Sequence, residues 1–496
     1  MKIVLYVVVF IGGAVVMVLE LVATRIIAPY LGASSIVWTS LIGVILAGLS
    51  VGYFVGGKIA DKKATYKGLA LIFIIAGLLV ILILYFKPIL GLIAKIENLQ
   101  AGALLASLIL FTPATIALGT IAPYAVRLRI ESLQNSGNIV GKLYALSTVG
   151  SIVGTFLGGF FLISYFGSTK ILEYLSATLI LSGVFVYVAD TRKSTGLIAL
   201  PLLPIILTAI IPPYGLILEK NAELLTDVDS EYSRLWVYDS RDKKTNRPAR
   251  YLTTSVELTQ SGMYLDNPEE LLLDYAKLLD LAEMFNPKLN RGLLIGAGAY
   301  SYPKYFLKKY PEATLDAVEI DEKMTMLARQ YFFLKDNPRL AIYHQDGRTF
   351  LSRIDNKYDA IFIDAFLSPL SIPYHLTTVE IIKMAESKLA TEGVVIVNII
   401  GALQGHRSDF FTAEYGTYKT VFPNVYVFRA QPERKPDELQ NIILVAAKSN
   451  NTLVIDNKLR KSDYLKNWWP EKVTTNLPIL TDDFAPVEKY VTKSMF

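Results

Sequence analysis

The sequence predicts a chain in two parts: an α-helical transmembrane bundle, then a small β-region that leads into an α/β domain built on a parallel sheet. Three observations carry that prediction. Residues 3–218 contain one long apolar run after another, residues 219–496 carry interspersed charge, and from Arg291 short apolar runs alternate with helical patterns. Hydrophobic residues make up 52% of the chain and charged residues only 19%, below the roughly 25% of soluble proteins. At 496 residues more than one domain is expected. The expected divisions are a helical domain over 1–218, a β-region over 219–285 and an α/β domain over 286–496.

Composition excludes several chemistries. There is no cysteine, so disulfides, thiolate metal sites and cysteine nucleophiles are ruled out. Three histidines, His344, His375 and His406, argue against a histidine-rich metal centre, and no metal is expected. The net charge of +5 is modest and much of it lies in loops between apolar runs, a pattern of membrane topology rather than of nucleic-acid binding.

A bilayer core about 30 Å thick needs roughly 20 apolar residues per helix. About seven segments qualify, near 3–30, 37–57, 68–87, 100–126, 141–165, 170–189 and 197–218. The first runs apolar from Ile3 to Val22, too long for the core of a signal peptide, and is read as a retained span. Lys58, Lys62, Lys63 and Lys67 follow the second segment, Arg127, Arg129 and Lys142 the fourth, and Arg192 and Lys193 the sixth. The intervening connections are poorer, with Lys87 and Lys95 beside Glu97 in one and Lys170 in the other. The positive-inside rule places the rich loops and the N-terminus in the cytoplasm. Seven crossings would then put the α/β domain outside, but Pro201, Pro204, Pro212 and Pro213 break the last segment and favour a re-entrant or interfacial course. A multi-pass cell-membrane protein with a cytoplasmic soluble domain is expected. Glu20 and Arg25 are charges within the first span. The small-residue pairs Gly48/Gly52 and Gly150/Gly154/Gly158 suit close helix packing.

In the second half, Leu293-Leu294-Ile295 reads as a strand that ends in Gly296-Ala297-Gly298, and Ser301 is placed to cap the next helix. A second strand, Thr314 to Ile320, contains Glu319 and is followed by Asp321. A third, Leu340 to Tyr343, leads to Asp346-Gly347, and a fourth ends in Asp364. A helix is expected near 376–390, then a strand over 393–400. Each polar residue falls at the carboxyl end of a strand, where doubly wound sheets bind ligands. Glu319 can accept hydrogen bonds from both hydroxyls of a ribose, and Asp346 from an exposed adenine amine. The glycine loop carries no lysine or arginine, which disfavours a pyrophosphate or triphosphate. Together Gly296, Gly298, Glu319, Asp346 and Gly347 describe an adenosine pocket.

These strings resemble the spermidine synthase family of aminopropyltransferases. The resemblance rests on Gly296 to Pro303, Val318 to Asp321, Gln345 to Gly347, and Asp364-Ala365 with Ile372 to Thr377. Ser230 to Arg234 and Gln260 to Tyr275 look like that family's small β-region, and Glu20 to Arg25 with Gly119 to Pro123 look like the membrane module of fused spermidine synthase-like proteins. The resemblance implies a Rossmann-like, class I methyltransferase-type domain. It implies aminopropyl transfer from decarboxylated S-adenosylmethionine to a small-molecule amine. Asp364 would be the catalytic acid that takes the amine proton, with Gln260 on the donor side and Tyr275 towards the acceptor; His375, just after a Pro-Tyr turn, is a separate candidate for substrate contact. Implied partners are the amine, the lipid bilayer and a second copy of the chain as a homodimer.

Two departures stand out. The family's glycine loop carries an aspartate where this chain has Ala299, and a second aspartate stands where this chain has Leu367. Asp482 and Asp483 are the candidate replacement cation clamp. Loss of the acid at 299 keeps a methyltransferase that uses S-adenosylmethionine itself as the alternative. A polyamine carrier with a catalytically silent sensor domain is the other.

Overall fold

The computed structural model describes residues 1–96, 98–130, 136–191, 196–211, 222–256, 259–365, 372–449 and 457–495. Glu97, Arg192, Lys193, Pro212, Pro213 and Leu367, which entered the reading above, lie outside them. The chain divides into two compact units, Met1–Ile217 with Val228–Arg234, and Leu218–Asp227 with Leu235–Phe496.

Among its described residues the first unit contains six helices long and apolar enough to cross a membrane: α1 Lys2–Leu31, α2 Ser35–Lys63, α3 Tyr66–Ile93, α4 Leu99–Arg129, α5 Ser136–Tyr165 and α6 Ser168–Thr191. Of the seventh expected segment the structure describes only the part up to Ile211. After a 3₁₀ turn, Gly196–Leu202, helix α7 (Leu203–Ile210) has 8 residues, about 12 Å at 1.5 Å per residue against a core of about 30 Å. Pro204 sits at the start of that helix, where its missing N–H costs nothing.

The glycine pairs fit the packing role expected of them. A Cβ at Gly52 would lie 2.3 Å from the Ile116 carbonyl oxygen, and one at Gly150 would lie 2.0 Å from that of Phe10. Backbones therefore meet directly between α2 and α4 and between α1 and α5. Arg25 also has a structural partner, since its Nη1 donates to the Ser230 carbonyl at 2.6 Å. Asp229 in the same segment accepts from the Ser168 amide at 2.7 Å.

The second unit starts with a four-stranded sheet in the order β1-β2-β3-β4 (Glu223–Asp229, Arg234–Arg241, Pro248–Thr253, Thr259–Tyr264). A short helix, α8 (Asp274–Lys277), follows. Seven further strands are β5 Arg291–Ile295, β6 Thr314–Val318, β7 Leu340–Tyr343, β8 Tyr358–Ile363, β9 Leu389–Gly401, β10 Asn424–Arg429 and β11 Gln440–Ala447. They order as β10-β11-β9-β8-β5-β6-β7. Strands β5 to β9 run parallel, and β11 is antiparallel to both β9 and β10. This is the Rossmann-like, methyltransferase-type arrangement, with a reversed hairpin at one edge. Helices α9 (Ser301–Lys309), α10 (Glu322–Tyr331), α11 (Gly347–Arg353) and α12 (Val379–Ser387) lie between strands.

Alternation along the strands builds the core on both faces. On β5, Leu294 joins one cluster with Phe306 and Phe362, while Leu293 and Ile295 join the other with Ile361 and Ile363. All seven are at most 5% exposed, and burying each such side chain stabilises the fold by roughly 1.5–3 kcal/mol. The two-residue period that makes both sheet faces apolar also forces the polar groups to the strand ends.

Candidate active site

Four backbone segments meet at the carboxyl edge of the sheet. The Gly296 amide donates to the Val318 carbonyl at 2.8 Å, the Asp364 amide to that of Ile295 at 2.8 Å, and the Glu319 amide to that of Tyr343 at 3.0 Å. The sheet pattern thus runs one residue past each strand and delivers the glycine loop, Glu319 and Asp364 side by side. Gly296 (φ +86°) and Gly298 (φ +53°) occupy the left-handed region. A Cβ at Gly296 would lie 2.1 Å from the Asp364 carbonyl oxygen, so only glycine permits this approach.

Glu319 faces the loop. Its Oε2 accepts from the amides of Ala297 and Gly298, both at 3.0 Å, and its Oε1 from the amide of Asp321 at 3.1 Å. Burial pushes its carboxyl up to about 7, against the opposing pull of these three amides. A carboxylate has about four acceptor positions, so it can take a ribose hydroxyl while holding the loop.

Asp346 caps the N-terminus of α11 through Oδ1, which accepts from the Thr349 amide at 2.8 Å. Its Oδ2 lies 2.9 Å from Nε2 of His375. Burial works against ionisation, but the Thr349 and His375 hydrogen bonds win and hold the group below the ordinary carboxylate value. His375, expected towards the acceptor, contacts Asp346. Gly347 is required beside it, because a Cβ there would lie 2.4 Å from Cγ2 of Ile295.

Asp364 is oriented by side chains. Nδ2 of Asn398 donates to its Oδ1 at 2.9 Å, and the Asn398 Oδ1 accepts from Nδ2 of Asn441 at 3.0 Å. The Tyr275 phenol hydrogen-bonds Asp364 and lies 3.4 Å from the Gln260 carbonyl oxygen. Burial raises the proton affinity of Asp364, while Asn398 and Tyr275 moderate it. Asp364 and Tyr275 line one small cavity with Ser261, Gly296 and Ala297. The Gln260 side chain reaches Thr254 at 3.4 Å and does not line that cavity.

Asp482, one of the two acids expected as a clamp, has partners within the chain. Asp482 forms a two-pronged pair with Arg348, its Oδ1 at 2.6 Å from Nη1, and the same oxygen accepts from Thr378 at 2.7 Å. The Arg348 guanidinium holds this carboxyl down at about 2. Its charge is already matched, and Asp483 is exposed. Ser301 also departs from expectation. Tyr300, at φ +57°, precedes α9 without a side-chain cap, and the Ser301 hydroxyl donates to the Gly262 carbonyl at 3.0 Å. With Ser261, whose Oγ accepts from the Ala299 amide at 3.1 Å, it ties the glycine loop to β4. The sequence reading missed Ser261, Arg348, Asn398 and Asn441. Asn398 had a signal, a lone amide within the apolar run Val394 to Ile400.

With this geometry in place, comparison with known proteins is specific. Residues 278–451 match the family model described as spermine/spermidine synthase domain. A polyamine aminopropyltransferase of Vibrio vulnificus is 28% identical over 232 residues, covering 46% of this chain and 74% of that protein. A probable polyamine aminopropyl transferase of Bifidobacterium longum is 30% identical, covering 40% of this chain and 48% of that protein. A human eEF1A lysine and N-terminal methyltransferase is 25% identical, covering 44% of this chain and 32% of that protein.

Proposed function

We propose, from the premise that the C-terminal half of this chain is a spermine/spermidine synthase domain of aminopropyltransferase type, that the whole chain is a membrane-bound aminopropyltransferase acting on an amine. The observation that carries the reading is Asp364, a carboxylate aimed by Asn398 and Tyr275 and set against the glycine loop. Decarboxylated S-adenosylmethionine is the donor substrate. Glu319 takes its ribose, and the loop at Gly296 and Gly298 runs past its sulfonium arm. Asp346 takes its adenine amine through the acceptor capacity left beside Thr349 and His375.

The chemistry asked of the chain is alignment and proton removal. An alkylamine has a pKa close to that of lysine, about 10.4, so at neutral pH it arrives protonated and cannot attack carbon. Asp364 orients the ammonium and accepts its proton as the new N–C bond forms. The C–S bond breaks, sulfur keeps the electron pair, and methylthioadenosine leaves. A carboxylate whose proton affinity is raised by burial is better matched to that task than an ordinary one.

Six crossings return the chain to the side on which it started. With the N-terminus inside by the lysine- and arginine-rich loops, the catalytic domain is cytoplasmic, the compartment of S-adenosyl donors. The direct test is mass spectrometry of products from detergent-purified protein given an amine panel with decarboxylated or intact S-adenosylmethionine. A gain of an aminopropyl group with release of methylthioadenosine is expected. A gain of a methyl group with S-adenosylhomocysteine would move the protein to methyl transfer, and no product from either donor would sink the enzymatic reading.

A further inference from the structure

Residues 480–482 return to the segment that carries His375. The Val379 amide donates to the Leu480 carbonyl at 2.8 Å, and the Leu480 amide to the Thr417 hydroxyl at 3.1 Å. Thr481 and Phe484 exchange main-chain hydrogen bonds at 3.0 and 3.1 Å, which closes a tight turn. Its base is apolar, with Leu480 and Val487 fully buried in one cluster with Leu376 and Ile381. Asp482 stands on that turn, its amide donating to Oε2 of Glu380 at 3.1 Å.

From Asp482 a series of contacts leads back to Asp346. The two-pronged pair fixes the Arg348 guanidinium, and the Nη1 that meets Oδ1 of Asp482 also donates to the His375 carbonyl at 3.2 Å. Thr378, fully buried, donates to the same Asp482 oxygen. One carboxylate therefore ties the chain at both 375 and 378. His375 lies in the 3₁₀ turn Tyr374–Leu376, and its Nε2 is the atom that meets Asp346.

A carboxylate held at one oxygen can still swing about its Cβ–Cγ bond. Asp346 is held at both, by the Thr349 amide at Oδ1 and by His375 at Oδ2, so its remaining acceptor directions are fixed. A guanidinium paired on two prongs is itself fixed in orientation, which a lysine or a single hydrogen bond would not achieve. The Asp482 side chain is 43% exposed, so its ion pair adds little to stability and its value is geometric.

We propose that Asp482 is a positioning residue for donor recognition. Through Arg348 it sets the His375 turn, and through His375 the plane of Asp346, so that the chain selects a purine with an amino group at position 6 over one with an oxo group. This rests on the reading of Asp346 as the adenine contact and adds the residues that aim it. A 6-amino group donates to the carboxylate, whereas a 6-oxo group sets acceptor against acceptor and leaves both unpaired. Such selectivity depends on direction, so cutting the relay lowers it, while a general loosening of the fold weakens both purines alike.

The test titrates the full chain in detergent, by calorimetry, with methylthioadenosine and with methylthioinosine, its 6-oxo counterpart. The wild-type protein is expected to bind the 6-amino compound at least tenfold more tightly. Asp482→Ala is expected to cut that ratio at least fivefold, through weaker binding of the 6-amino compound alone. Arg348→Lys keeps the charge but not the paired prongs; it is expected to move the ratio the same way and serves if Asp482→Ala does not fold. Lys493→Ala removes the 2.6 Å pair with Asp409 that ties down the C-terminal helix Val487–Met495 at another point, and is expected to leave the ratio within twofold. An unchanged ratio in both relay variants, or equal weakening of both nucleosides, overturns the relay while leaving adenine recognition by Asp346 intact. So does a shift in Lys493→Ala as large as that in Asp482→Ala. No preference in the wild-type protein removes the adenine reading of Asp346, and this inference with it.

Discussion

The two sides of the proposed active site are held largely by different kinds of bond. On the donor side Glu319 is fixed by the main-chain amides of Ala297, Gly298 and Asp321, and Asp346 by that of Thr349 together with the His375 side chain. On the acceptor side Asp364 is fixed by the side chains of Asn398 and Tyr275. Main-chain donors cannot be removed by substitution and belong to the fold. Side-chain donors can be removed singly. The donor pocket should therefore tolerate little change without loss of binding, whereas the acceptor side should lose chemistry with the donor still bound.

The largest expected effect tests that contrast directly. Asp364→Asn keeps the shape and removes the proton acceptor. Turnover should fall by about a thousandfold, within the 10²–10⁴ range for a positioned general base. Donor affinity by titration calorimetry should stay within about twofold. A parallel loss of donor binding would mean that the two sides are one unit.

Glu319 sets the next effect. Its folded carboxyl titrates near 7, above the ordinary 4.5. Between those values the folded state binds more protons than the unfolded state, so this group's contribution to stability falls as pH rises through that window. Donor binding runs the opposite way, because a ribose hydroxyl needs the ionised carboxylate as acceptor. Affinity should climb from pH 5.5 to about 7 and then level off. Glu319→Gln should weaken binding by about 10- to 100-fold, the value of one charged hydrogen bond, and flatten that pH dependence. A dependence that persists in the variant would assign the titration to another group.

The same contrast explains what could be read in the sequence. Backbone-built features are local, so they leave strings. Gly296-Ala297-Gly298, Glu319 about 20 residues later and Asp346-Gly347 mark themselves because glycine and strand-end acids are the residues such turns demand. Side-chain relays join distant parts of the chain. Asn398 and Asn441 meet only because β9 and β11 pair antiparallel, with Ile399 opposite Ile442, and nothing in their spacing announces it. Ser261 reaches the loop from the other sheet. Hydropathy marked all six long apolar helices found among the described residues, while the described part of 197–218 holds only a 3₁₀ turn and the 8-residue α7. Apolar composition reports what a segment avoids, whereas length and proline placement decide whether it crosses.

The smallest predicted effects grade the acceptor relay. Asn398 is 3% exposed and touches Asp364 directly, donating to one carboxylate oxygen and so favouring the charged form. Removing that donor raises an already raised proton affinity. In Asn398→Ala the acid limb of the kcat pH profile should move to higher pH, with kcat near neutrality down about tenfold, as expected for a charge-assisted hydrogen bond. Asn441 acts one step back, by fixing which way the Asn398 amide points. Without it the amide can rotate and present its oxygen to the carboxylate for part of the time. Asn441→Ala should therefore shift the same limb in the same direction but lower kcat only about two- to threefold, and the double variant should resemble Asn398→Ala alone. Additive losses in the double variant would show two independent contacts rather than a relay, and the side-chain account of Asp364 would then need a second path.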